Sequence, residues 1–76
     1  MAPDAFLAHL ADILETDAPL TLETVLDGRK EWDALARDGV IAFAAETLGL
    51  TLEAEEIDGC LRAHDLFVLI GRSALG

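Results

Sequence analysis

The stretch Glu31–Gly49, EWDALARDGVIAFAAETLG, decides how this chain is read. Asp33 precedes a run whose apolar positions Leu35, Val40, Ile41, Phe43, Ala44 and Leu48 recur at helical spacing, so a helix is predicted here. A carboxylate at the N-cap can accept an otherwise unpaired N–H of the first turn, which makes Asp33 the expected start. Gly49 is the expected stop, because a helix often closes on a residue in the left-handed region. One position resists the pattern. Gly39 lies inside the helix, where glycine costs about 1 kcal/mol relative to alanine.

Working outward, Phe6, Leu7, Leu10, Ile13 and Leu14 form one apolar stripe, and Pro3 with Asp4 suits a helix start. This first helix is expected to stop at Thr16-Asp17-Ala18-Pro19, since the residue before a proline is pushed out of the helical region. Leu20, Leu22, Val25 and Leu26 give the long connection to Trp32 the means to pack, and Asp27-Gly28-Arg29-Lys30 reads as a turn. The lone tryptophan, Trp32, is expected to pin this connection onto the core. Residues 51–59, TLEAEEIDG, allow a helix of one or two turns, with Thr51 as cap and Gly59 as end. A last helix is expected over about 63–72, AHDLFVLIGR, with Leu66, Phe67 and Ile70 facing one way.

Composition agrees with this all-α reading: alanine and leucine abound, and β-branched residues are few. At 76 residues the chain is expected to form a single domain, 1–76, a four-helix bundle with a short third helix. So small a domain buries only ~60% of its unfolded surface and offers no deep enclosed active site. Fifteen acidic against five basic residues give a net charge of -10. That field repels nucleic acid and anionic membranes and attracts proteins with basic patches. The N-terminal MAPDAFLAHLADILE carries acids within its apolar run and no basic leader, so it reads as helix, not signal peptide. No run approaches the ~20 apolar residues of a membrane span. Cys60 is alone, which rules out an internal disulfide. A cytoplasmic monomer is the expectation.

Leu26 to Ile70 resembles the acyl carrier protein family, the phosphopantetheine-binding carrier domains of fatty-acid, polyketide and peptide synthesis. The matching residues are Trp32-Asp33-Ala34-Leu35, then 40–52 (VIAFAAETLGLTL), 55–60 (EEIDGC) and 64–70 (HDLFVLI). The resemblance implies a four-helix bundle whose second helix begins at a serine carrying the phosphopantetheine arm. It also implies that carboxylates beside that serine meet Arg and Lys of partner enzymes: a synthase, ligase or transferase.

Here the attachment position is Ala34. A methyl group offers no oxygen for the phosphodiester, so the chain cannot take phosphopantetheine at that site. Ser73 and the threonines Thr47 and Thr51 lie elsewhere in the family pattern. Three readings stay open. The chain is a carrier homologue that lost its serine and acts by docking, an ordinary carrier seen as its serine-to-alanine variant, or a helical interaction module unrelated to acyl metabolism. Asp38 and Gly39 depart from the family pattern, and relaxed or redirected selection on the arm site would account for both. The expected contact residues are Asp33, Asp38 and Glu46, with Leu35 and Val40 as apolar neighbours. Arg37 is the charge that would alter partner choice.

Enzyme chemistry finds little support. Cys60 and His64 are four apart, but zinc needs three or four ligands and His9 is the only other imidazole. A nucleophilic thiolate needs an electropositive pocket, whereas Glu55, Glu56, Asp58 and Asp65 crowd this one. No glycine-rich phosphate loop is present.

Overall fold

A computed structural model describes residues 2–75. Helix α1 covers Pro3–Leu14, with proline at its first position and Asp4 in the first turn. Phe6, Leu10 and Leu14 are buried, and Leu7 and Ile13 pack partly against them, so the expected stripe faces the core. The helix ends earlier than the proline requires. Glu15 adopts φ 55° in the left-handed region, and its N–H donates to Ala11 and Asp12 carbonyls. Thr16 N–H closes the turn on Ala11 O at 3.1 Å.

The connection that follows is anchored by its backbone. Leu26 and Asp27 N–H donate to Leu61 O at 2.7 and 3.1 Å, around an antiparallel bridge between Val25 and Arg62. In return, Thr24 and Leu22 carbonyls accept from Ala63 and His64 N–H at 3.0 and 2.9 Å. Those two amides begin the last helix, so the loop satisfies donors that a helix start leaves unpaired. Leu26 is fully buried, and Trp32 at 6% exposed pins the end of the loop as expected. Val25 does not pack; it is 48% exposed, because its bridging position turns it outward.

Helix α2 spans Ala34–Phe43 and runs into a π-turn, Ala44–Leu48, that Gly49 closes at φ 67°. Ala36, Val40 and Ala44 are its core positions. Helix α3, Ala54–Asp58, is a single short turn. Its start lies at Glu53, not at Thr51: Glu53 N–H donates to the Glu56 carboxylate at 3.1 Å. Helix α4 spans Ala63–Leu75, three residues beyond the expected end, and buries Leu66 and Ile70. Asp65 accepts from Leu61 and Arg62 N–H at 2.9 and 3.0 Å, which secures its approach.

The described residues therefore form four α-helices around one apolar core that α1, α2 and α4 all enter. A radius of gyration of 11.1 Å is that of a folded globule, for which 76 residues give about 11.4 Å. Among the described residues, no helix is long and apolar enough to cross a membrane.

Candidate docking site at the start of the second helix

Asp33 and Ala34 set the geometry. Asp33 has extended backbone, and its Oδ1 accepts from Ala36 N–H at 2.9 Å, so the helix begins at Ala34. Ala34 is solvent-exposed. Leu35 is 80% exposed, and Ala36 takes the core position that the apolar pattern had assigned to Leu35. Spacings of three and four place Leu35, Asp38, Ala42 and Glu46 along one exposed stripe of α2 and the π-turn.

Asp33 caps the helix just ahead of that stripe, and two other expected contact residues are off it. Val40 is 1% exposed and belongs to the core, so it offers a partner no surface; this corrects its assignment as a contact residue. The apolar repeat carried both possibilities, and packing between α1 and α2 decides for the interior. Arg37 is held by its own chain. Its guanidinium donates to Trp32 O at 3.4 Å, lies 5.9 Å from the centre of the Trp32 ring, and pairs with Asp58 of α3 at 3.7 Å. Arg37 thus straps the first turn of α2 to α3.

Gly39 has a packing reason. A Cβ built there would stand 2.9 Å from Ile13 Cγ2 of α1, closer than carbon atoms tolerate. The helix passes through Gly39 unbroken, and the absent side chain lets the two helices approach. Relaxed selection is therefore not needed to explain this glycine. The contact lines a shallow groove between the helices, together with Glu15, Lys30, Glu31, Asp33 and Leu35. Sequence reasoning missed Ile13 and Glu15 as neighbours of this site. The signal available was the cost of a glycine in mid-helix, which points to a close approach but not to its partner.

Elsewhere, Cys60 is buried and its Sγ donates to Glu56 O at 3.4 Å. Burial, with added repulsion from Asp65 and Glu56, pushes the thiol from 9.0 up to about 11. It stays protonated near neutral pH and is a poor nucleophile. Asp65 moves the other way: the Leu61 and Arg62 N–H groups hold its carboxyl below 3.8. His9 rests against Phe43, with ring centres 4.7 Å apart. Among the described residues, no three His, Cys, Asp or Glu side chains gather as a metal site.

Compared with known protein families, curated proteins and solved structures, the chain matches none.

Proposed function

We propose that this chain is an acyl carrier protein-like domain that cannot be charged with phosphopantetheine at Ala34 and works by docking. Its partners are biosynthetic enzymes bearing basic patches, such as a synthase, ligase or transferase. The observation that carries the reading is the placement of Ala34. It is exposed, it is the first residue of α2, and a capping carboxylate stands just before it. A hydroxyl there would be open to a modifying enzyme; a methyl group leaves only the surface around it.

Asp33, Asp38 and Glu46 are exposed and supply the negative charge, and Leu35 supplies an apolar anchor. With a net charge of -10, long-range attraction favours a basic partner and speeds its encounter. Arg37 drops out of the contact set, since Asp58 and Trp32 engage it.

Incubation with coenzyme A and a broad-specificity phosphopantetheinyl transferase tests the reading by mass. The chain is expected to keep its mass, and Ala34→Ser to gain one arm. A gain on the unaltered chain overturns the blocked site. Failure of Ala34→Ser to react, with its fold intact, overturns the carrier lineage.

A further inference from the structure

The far end of the second helix carries a feature that docking at Ala34 does not use. Leu48 lies fourteen residues on from Ala34, or about 20 Å at the helical rise per residue. There, Phe6 of α1, Leu48 at the end of the π-turn, Leu50 just beyond it, and Phe67, Ile70 and Gly71 of α4 line a partly open cleft of about 170 Å³. The Phe6 and Phe67 rings, 5.5 Å apart and tilted by 53°, contribute to its lining. No acidic or basic side chain lines it.

Two local choices around the cleft go against helix stability. The π-turn replaces the ordinary helical ladder over Ala44–Leu48, and π segments recur at functional sites. Gly71 sits inside α4, yet a Cβ built there meets nothing within 4 Å. Packing explains Gly39 but gives no reason for Gly71, which lies in the wall of the cleft.

From these observations we propose that the cleft is a binding site for a small, uncharged, apolar molecule. Its size suits a single ring or a short branched chain. An enclosed apolar cavity of ~150 Å³ accommodates one benzene, and this cleft, partly open to solvent, has a similar volume. The lining offers a charged group no partner, and the chain's own negative charge repels anions. This site is independent of the docking reading and stands whether or not Ala34→Ser accepts an arm.

Benzene is the test probe, titrated into the full chain and followed by methyl and aromatic NMR. Saturable shifts are expected at Phe6, Leu48, Leu50, Phe67 and Ile70. Ala74 also lines the cleft and is exposed, so Ala74→Leu should fold and fill it. Affinity is expected to fall at least about tenfold in Ala74→Leu. Leu61→Ala, at an exposed position outside the cleft lining, should stay within about twofold, and benzoate should bind at least about tenfold more weakly than benzene. Absence of saturable binding overturns the proposal, as do shifts spread over the whole core or an unaffected Ala74→Leu. Equal binding of benzoate overturns the uncharged class. Shifts at the cleft that depend on protein concentration without benzene overturn it in favour of a second copy.

Discussion

Gly39→Ala sets two effects of similar size against each other, and the geometry decides the sign. Alanine is better than glycine in a helix interior by about 1 kcal/mol. The new Cβ, however, would stand 2.9 Å from Ile13 Cγ2. That methyl branches directly from Cβ, and isoleucine in a helix strongly prefers one χ1 rotamer, so it cannot swing aside. Either α1 shifts outward or Ile13 leaves its rotamer, and overpacking of this kind costs about 1–3 kcal/mol. The net expectation is a loss of about 1 kcal/mol, which lowers Tm by roughly 4–8 °C in a domain of this size.

In an Ile13→Ala background the obstructing methyl is gone, and the same Gly39→Ala change should stabilise by about 1 kcal/mol. The coupling between the two sites is then about 2 kcal/mol, well above the ~0.5 kcal/mol expected of independent positions. Urea melts of the four chains, followed by the buried Trp32 and by far-UV circular dichroism, measure it. A 76-residue domain holds roughly 4–11 kcal/mol, which leaves room for the double variant. If Gly39→Ala stabilises equally in both backgrounds, the close approach of α1 and α2 is wrong.

Three further outcomes follow from single groups. Asp33→Ala removes the acceptor of Ala36 N–H and should cost about 1 kcal/mol, with Asp33→Ser restoring most of it; no loss in urea melts would refute the cap. The Cys60 pKa is raised, so its contribution to stability is fully present below the ordinary 9.0 and is lost as pH climbs towards about 11. A thiol reagent at pH 8 should label the folded chain roughly a hundredfold more slowly than the urea-unfolded one, and equal rates would refute the shift. The Asp65 pKa is lowered, so its contribution is present above 3.8 and is lost as pH falls through the folded-state value. Melts of Asp65→Ala should therefore differ from wild type at neutral pH and converge in acid; a gap independent of pH would remove the carboxylate from the account.

Local signals in the sequence reached the elements but not how they meet. The Asp33 cap, the Gly49 and Gly59 stops and the buried Trp32 were legible because each depends on a few neighbouring residues. The end of α1 was misplaced because Glu15 enters a left-handed turn that residue types disfavour, ahead of the proline that seemed to force the stop. Leu35 reads both as an apolar helix position and as a contact residue, and the structure leaves it exposed while the small Ala36 packs inside where α1 and α2 approach. Val40 is expected as an apolar neighbour of the contact carboxylates, but helical geometry sets it on the buried face shared by Ala36 and Ala44.

Arg37 bears most on the docking reading, because its strap changes the charge that a partner would meet. As a free cation on the second-helix face it would repel the basic patches proposed to meet Asp33, Asp38 and Glu46. Drawn against Trp32 and Asp58, it leaves that stripe carrying carboxylates and Leu35. The same strap engages one carboxylate of α3, Asp58, and leaves Glu55 and Glu56 exposed beside it. Partly exposed ion pairs contribute little to stability, at most about 1 kcal/mol, so the strap's larger consequence is electrostatic. A partner that reads this domain by charge would meet Asp33, Asp38 and Glu46 beside Ala34, with Lys30 the nearby exposed cation at the groove's edge.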